Sequence, residues 1–138
     1  MKRFFLDTNF IVALELASDQ HHSGAVKLWK EVTEGSFHFV TTSFVFDEVV
    51  TFLNSRNHHR KAIEAGENLL LSPHVTFVHV DTNLFFDAWK SFQDYDDKRF
   101  SLTDCISFVV MRTYELNVAL SFDGDFEQAG FLVNFLND

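Results

Sequence analysis

Residues 2–10, KRFFLDTNF, place a carboxylate between two apolar runs. Two phenylalanines and a leucine lead directly into Asp7, and the apolar pattern resumes after Asn9 with FIVAL at 10–14. The first run is typical of a buried strand and the second of a buried helix. A carboxylate at this junction either caps the helix, since Asp is a favoured N-cap residue, or has a separate task.

Strand and helix patterns alternate along the rest of the chain. Strands are predicted at 2–6, 37–40, 75–80 and 117–122, with an edge strand at 131–136. Helices are predicted at 8–17, 22–34, 43–55, 58–71, 81–95, within 100–116 and at 124–129. This order predicts an α/β fold whose mostly parallel sheet is covered by helices on both faces. The 138 residues predict a single domain, 1–138.

Composition limits the function classes. A formal net charge of −9 counts against a nucleic-acid substrate, unless the acidic residues are concentrated in a metal site. The single cysteine, Cys105, excludes an internal disulfide and suits a reducing cytoplasm. Because no apolar stretch is long enough to cross a membrane and the first residues are charged, we expect a cytoplasmic protein without membrane contact.

Four carboxylates stand at or beside apolar positions. Asp7 and Asp123 directly follow predicted strands, and ligands of such folds bind at the carboxyl ends of strands. Asp104 fits a capping box with Ser101 in SLTD, and Asp123 could cap the next short helix. Glu48 lies at the margin of an apolar helical face without a capping role, although it could be an edge residue with its charge in water.

Together these four residues predict a metal site. Helix N-termini should keep the three aspartates ionised. Each pair of carboxylates about 4 Å apart would then repel by on the order of 4 kcal/mol at an effective dielectric near 20. A divalent cation removes that cost, and oxygen ligands favour Mg²⁺ or Mn²⁺ over zinc. Such a site suits phosphoryl chemistry, because the metal acidifies a bound water and neutralises charge on the phosphate.

Four motifs resemble those of one known family in order and spacing. They are FLDTNF at 5–10, FDEVV at 46–50, SLTDC at 101–105 and SFDGDF at 121–126. The chain resembles PIN-domain proteins over essentially its whole length, and within that family it is most similar to VapC-type toxins of toxin–antitoxin pairs. This resemblance implies an α/β/α sandwich and an Mg²⁺- or Mn²⁺-dependent endoribonuclease that leaves 5′-phosphate and 3′-hydroxyl ends.

The resemblance also implies roles for individual residues. The metal-binding and catalytic quartet would be Asp7, Glu48, Asp104 and Asp123. Asn9 and Ser121 would hold the site through hydrogen bonds, and Asp125 is either an auxiliary acid or a surface residue. Cys105 follows the motif aspartate and is interpreted as a buried thiol.

The chain also contains features that suggest partners. The resemblance implies a small antitoxin, which would block the site with an arginine in place of the metal's charge. Eighteen phenylalanines, against two tyrosines and two tryptophans, suggest a homodimer and a groove for an antitoxin helix. NSRNHHRK at 54–61 is the one basic stretch, in which Arg56, Arg60 and Lys61 either grip RNA phosphates or form a solvated helix start.

Two other functions remain open at this level. A phosphoaspartate phosphatase or receiver-like domain needs an acid two residues after its nucleophile and a lysine nearby, but position 9 is Asn and no lysine closes the strand at 117–122. A non-catalytic binding module would use the four carboxylates as helix caps or surface residues.

Overall fold

Five parallel strands form the central sheet of the computed structural model, which describes residues 1–136. They are β1 Lys2–Leu6, β2 Phe37–Thr42, β3 Val75–Val78, β4 Val118–Leu120 and β5 Leu132–Val133. Their order in the sheet is β3-β2-β1-β4-β5, and each neighbouring pair is parallel. The predicted parallel sheet and its short edge strand are therefore confirmed.

Seven helices connect and cover these strands within residues 1–136. They are α1 Thr8–Glu15, α2 His22–Val32, α3 Ser43–Ser55, α4 His59–Leu71, α5 Thr82–Asp94, α6 Leu102–Thr113 and α7 Asp125–Gln128. Each predicted helix is present, with ends that differ by at most three residues. Thr42 caps α3 by accepting a hydrogen bond from the Val45 backbone N–H at 3.2 Å. α4 ends before Pro73, because a residue that precedes proline is disfavoured in helical geometry.

The strand order places a crevice beside β1. The chain builds the sheet from β1 through β2 to β3 on one side, and then adds β4 and β5 on the other side. The connections therefore change direction at β1 and β4, where open α/β sheets bind ligands. Leu6 and Leu120 are register partners at the ends of these strands, and the Asp7 N–H donates to the Leu120 carbonyl at 3.1 Å. The residues that follow both strands consequently meet at one edge.

Phenylalanine fills much of the core, and α6 is buried on most of its surface. Phe108 of α6 packs edge-on against Phe126 of α7, with ring centroids 5.2 Å apart. This contact holds the start of α7 close to α6. By contrast, α5 buries only Ala88 and exposes four large aromatic side chains, Phe85, Phe86, Trp89 and Phe92. In the part of the chain that the structure describes, no helix has the length and apolarity needed to cross a bilayer.

Candidate active site

Asp7 is a buried carboxylate at the carboxyl end of β1, with only 5% of its surface exposed. It occupies the N-cap position of α1, but its side chain makes no capping hydrogen bond. Its Oδ2 instead accepts a hydrogen bond from the Ser121 hydroxyl at 2.7 Å. The alternative in which the Asp7 side chain only caps α1 is therefore wrong, because this oxygen is committed to the residue after β4.

Asn9 ties the first turn of α1 to the segment after β4. Its Oδ1 accepts the Phe122 backbone N–H at 2.9 Å, and its Nδ2 donates to Asp123 Oδ2 at 3.0 Å. The other oxygen of Asp123 accepts the backbone N–H of Asp125 at 3.0 Å. Asn9 and Ser121 thus make the kind of hydrogen bonds predicted for them, and they bring Asp7 and Asp123 to one place.

Asp104 has two roles in the geometry. It completes the predicted capping box, in which Ser101 Oγ accepts the Asp104 N–H at 3.0 Å and Asp104 Oδ2 accepts the Ser101 N–H at 3.1 Å. The same carboxyl group also lies close enough to Asp125 for a hydrogen bond and close enough to Asp123 for charge repulsion. The cap and the acidic cluster are therefore compatible, since the start of α6 faces the segment after β4.

Glu48 lies at the rim of this cluster. It is exposed on α3, and its Oε1 accepts a hydrogen bond from the Thr8 hydroxyl at 2.6 Å. Thr8 is the first residue of α1 and follows Asp7 directly, so this hydrogen bond places the Glu48 carboxylate next to the start of α1. The sequence interpretation did not assign any task to Thr8, although its position beside Asp7 in LDTN was the available signal.

In the part of the chain that the structure describes, the acidic cluster has no basic partner. Burial, and then the charges of Asp123 and Asp104, raise the pKa of Asp7 to about 7, although the Ser121 hydrogen bond opposes that rise. Burial, and then contact with Asp125, raise the pKa of Asp104 to about 7 as well. Burial also raises the pKa of Asp123. Within residues 1–136, the single ion pair joins Lys98 to Asp97, so no cation neutralises these groups.

The expectation that helix N-termini keep the aspartates fully ionised is therefore wrong for Asp7 and Asp104, whose pKa of about 7 leaves each partly protonated near neutral pH. The partial positive charge of a helix end is worth roughly 0.3–1 kcal/mol at exposed positions. Desolvation of a buried carboxylate and repulsion between neighbouring carboxylates are larger effects, and both favour the protonated form. Stored repulsion of this kind is typical of a site that receives a cation.

The donor chemistry of the quartet fits Mg²⁺ or Mn²⁺. All four side chains offer only carboxylate oxygens, which are the ligands that these ions prefer. Hydrogen bonds engage Oδ2 of Asp7, Oδ2 of Asp104, Oε1 of Glu48 and both oxygens of Asp123. A carboxylate oxygen has two lone pairs, so an oxygen that accepts one hydrogen bond can still bind a cation. In the described residues, no three Asp, Glu, His or Cys side chains are already arranged as a metal-binding group.

The remaining predicted residues differ in burial and in their contacts with the cluster. Asp125 is half-buried beside Asp104, so it is not the plain surface residue that was the alternative. Cys105 is fully buried, and burial raises the pKa of its thiol to about 11, as expected for a buried thiol. Arg56 is exposed at the end of α3, with its guanidinium 4.5 Å from the ring centroid of Phe52.

The other two basic residues belong to α4. Arg60 is exposed there, and Lys61 lies near Glu15, whose pKa is raised by burial while the charge of Lys61 opposes that rise. Neither Arg60 nor Lys61 is among the groups that shift the pKa values of Asp7, Asp104 and Asp123 in the described residues.

Comparison with known proteins identifies the class. The family model described as "PIN domain" matches residues 4–132, and the chain belongs to this family. A curated relative, the 23S rRNA-specific endonuclease VapC20 of Mycobacterium tuberculosis, is 38% identical over 128 residues, which cover 93% of this chain and 95% of that protein. These matches confirm the predicted relationship to VapC-type toxin nucleases.

Solved structures agree with this assignment. The crystal structure of Mycobacterium tuberculosis VapC20, described as a sarcin–ricin-loop-cleaving toxin, has a TM-score of 0.85 and 36% identity, covering 94% of this chain and 96% of that one. VapBC2 from Rickettsia felis, bound to a DNA fragment from its promoter, has a TM-score of 0.64 at 10% identity and covers 95% and 96%. FitAcB from Neisseria gonorrhoeae has a TM-score of 0.65 at 15% identity and covers 94% and 95%. At such low identity the last two support the fold alone.

Proposed function

We propose that this chain is a divalent-metal-dependent endoribonuclease that acts in the cytoplasm as the toxin of a toxin–antitoxin pair. The observation that carries the proposal is the cluster of Asp7, Asp104 and Asp123 at the switch point of the sheet, where Asp7 is buried, the other two are half-buried and no residue within 1–136 forms an ion pair with them. The likeness to VapC20 supports ribosomal RNA as the substrate class, and the sarcin–ricin loop as the first substrate to test.

In this proposal Asp7 and Asp104 would hold the principal metal ion, and Glu48 and Asp123 would complete its ligands or recruit a second ion. When bound, Mg²⁺ or Mn²⁺ would supply an acidified water and positive charge beside the phosphate. Asn9 orients Asp123, while the Ser121 hydroxyl orients Asp7.

The products determine which bond breaks. Ends with a 5′-phosphate and a 3′-hydroxyl require a water oxygen to join phosphorus while the bond from phosphorus to O3′ breaks. The leaving O3′ takes up a proton. Asp125 is the auxiliary acid of this scheme, because it lies against Asp104 within hydrogen-bond reach and can exchange a proton at the edge of the cluster.

The test is cleavage of an RNA hairpin that carries the sarcin–ricin loop, with Mn²⁺ or with EDTA. We expect Asp7→Asn to lower kcat/KM more than about 1,000-fold, because an essential oxygen ligand is replaced by a neutral amide. Asp81→Asn is the matched control. Asp81 also follows a strand, but its side chain caps α5 by accepting the Leu84 N–H at 2.9 Å. Equal activity of wild type and Asp7→Asn would refute the assignment.

We further propose a homodimer and a small antitoxin as partners. The dimer proposal is supported by the four aromatic side chains exposed on α5, since a contiguous apolar surface usually marks an interface. Sedimentation of wild type and Phe86→Ser tests it, because a dimer through α5 should dissociate in the variant. The description of VapC20 as a toxin supports the antitoxin, which co-purification with the product of the neighbouring reading frame would test.

The two alternatives have less support. The side-chain partner of the Asp7 carboxylate in the described residues is Ser121 rather than a lysine, which disfavours a phosphoaspartate mechanism. Trapping of a phosphoryl group on Asp7 would reverse that conclusion. A non-catalytic binding module would show no heat of Mn²⁺ binding in calorimetry.

A further inference from the structure

A pocket adjoins the acidic cluster. It has a volume of about 350 Å³, which lies within the roughly 300–1,000 Å³ range of small-ligand sites. Thr8 and Asn9 belong to its lining, and these are the residues that hydrogen-bond Glu48 and Asp123. A nucleotide whose phosphate lay at the acidic cluster would therefore have this pocket beside it.

One wall of the pocket is an exposed imidazole supported by rings beneath it. The ring of His21 lies parallel to that of Phe122, with centroids 4.6 Å apart and planes 6° apart. Phe122 in turn stacks on the fully buried Phe10 at 5.8 Å, and Phe10 contacts Trp29 at 6.3 Å. This stack of rings runs from the core to the surface, and His21 is its exposed end.

The loop before α2 holds His21 in place. Asp19 Oδ1 accepts the backbone N–H of His21 at 2.8 Å, and the His21 carbonyl accepts the Ala25 N–H at 2.8 Å. His21 occupies the N-cap position of α2, yet its side chain makes no capping hydrogen bond. The helix therefore does not require an imidazole at this position, whereas the ring stack presents its flat face.

Phe52 of α3 also lines the pocket, and the guanidinium of Arg56 lies 4.5 Å from its ring centroid. The rings of His21, Phe122 and Phe52 thus make the lining aromatic in a pocket that shares Thr8 and Asn9 with the surroundings of the carboxylates. Proteins that read unpaired RNA stack bases on aromatic rings of this kind.

We propose that this pocket binds one unpaired nucleobase next to the scissile phosphate, stacked on His21. A base inside a duplex is covered by its neighbours on both faces, so the nucleotide must lie in a loop, a bulge or a single strand. The pocket therefore makes the enzyme selective for unpaired RNA. This inference rests on the proposed function, because it takes the scissile phosphate to lie at the acidic cluster.

The test combines changes in the protein with changes in the RNA. Each loop nucleotide of the hairpin is replaced in turn by an abasic residue, and kcat and KM are measured for wild type, His21→Ala and His21→Phe. We expect His21→Ala to lower kcat/KM about 5- to 100-fold, mainly through KM, and His21→Phe to retain most of it. At one abasic position the kcat/KM of wild type should fall by the same factor that His21→Ala loses on the intact hairpin. At that position the kcat/KM of His21→Ala should fall no further, because the base and the imidazole act on each other.

His74→Ala is the matched control. His74 is likewise an exposed imidazole on a phenylalanine, Phe37, with ring centroids 4.5 Å apart. It precedes β3 and so lies at the opposite edge of the sheet from the acidic cluster. Its removal should leave kcat/KM unchanged on every RNA.

A binding measurement separates this inference from the proposed function. 2-Aminopurine is placed at each loop position in turn. At one of these positions it should be quenched when Asp7→Asn binds the hairpin, and His21→Ala in that background should remove the quenching. If wild type does not cleave RNA but this quenching occurs, the proposed nuclease function is refuted while the proposed stacking of a base on His21 is supported. Equal cleavage of RNA by wild type and a folded His21→Ala would overturn base stacking. The same conclusion would follow if no abasic position lowered kcat/KM by the factor that His21→Ala loses, and the pocket would then be a candidate contact for a protein partner.

Discussion

At its amino end β1 carries two cations, Lys2 and Arg3, and at its carboxyl end it leads into the buried Asp7. Lys2 Nζ donates to the carbonyls of Glu31 at 3.1 Å and Glu34 at 2.6 Å, near the end of α2. Arg3 donates to the carbonyl of Tyr114, the C-cap residue of α6, at 3.0 Å. Cations at helix C-termini are the favourable arrangement, and they remain close to water there.

At the carboxyl end of β1 charges also lie at helix ends of the opposite partial charge, but there the ionised form is not stabilised. Asp7 and Asp104 also lie where the helix dipole suits their charge, at the starts of α1 and α6. Burial and mutual repulsion nevertheless raise the pKa of both groups to about 7. A charge in the favourable place on a helix is thus stabilised only if it is also hydrated or paired. The difference is consistent with a structural role for the amino end and supports the proposal of a functional site at the carboxyl end.

The largest expected effect is a pH dependence of stability that Asp7 produces. The pKa of Asp7 is about 7 in the folded chain against an ordinary 3.8, so between those pH values the folded chain keeps a proton that the unfolded chain has released. Without metal, the free energy of unfolding should therefore fall as the pH rises from about 4 to 7, by up to about 4 kcal/mol for this group. Urea unfolding in EDTA at a series of pH values from 4 to 8 measures it.

Asp7→Asn should remove the share of that dependence that Asp7 contributes, because the amide resembles the protonated acid, and leave the share that comes from Asp104. Mn²⁺ should stabilise wild type at pH 8, by about 2.7 kcal/mol at one hundred times its Kd, and have little effect on the variant. A wild-type stability that rises between pH 5 and pH 8 in EDTA would contradict the picture of a strained carboxyl end.

A smaller loss is expected when the hydrogen bond to Asp7 is removed. Ser121→Ala deletes the one side-chain hydroxyl that lowers the pKa of Asp7, so this carboxylate should ionise at still higher pH and bind metal less well. Removing such a supporting group typically costs about 10- to 100-fold in activity or metal affinity. The activity profile should also shift to higher pH.

Ser107→Ala is the control for that variant. Ser107 is equally buried, but its hydroxyl donates to the Thr103 carbonyl within α6 at 3.0 Å. Matching losses in both variants would mean that Ser121 acts through stability alone.

The basic stretch should affect RNA binding more weakly. If Arg56 contacts a phosphate, Arg56→Ala should reduce the slope of log K against log salt by about 0.7, the value for single-stranded nucleic acid. Arg60→Ala and Lys61→Ala test the same role on α4, with the exposed Lys30 of α2 as the control position. If all three variants showed the same salt slope as Lys30→Ala, Arg56, Arg60 and Lys61 would not contact RNA phosphates and would only form a solvated helix start.

The smallest effect is expected at the amino end of β1. Lys2→Met removes a cation from helix-end carbonyls, which should cost about 0.3–1 kcal/mol in unfolding free energy and leave RNA cleavage unchanged. Thermal unfolding and the hairpin assay measure both quantities. A loss of activity here without a loss of stability would mean that the division between the two ends is too simple.

The sequence by itself determined the order of strands and helices, the parallel sheet and the edge to which Asp7, Asp104 and Asp123 belong. Those features depend on local periodicity, on capping residues and on which residues directly follow strands. Glu48 could also be selected, because its position on an apolar helix face has no local explanation.

Only the tertiary structure decided what these residues do at that edge. Asp7 bonds Ser121 rather than capping α1, a contact between residues 114 positions apart. Its pKa is raised because distant segments exclude water from it and bring other carboxylates near. His21 likewise becomes a flat surface only where Phe122 lies beneath it. Desolvation and repulsion depend on the full three-dimensional surroundings of a charge, whereas a pattern along the chain records only its neighbours in sequence.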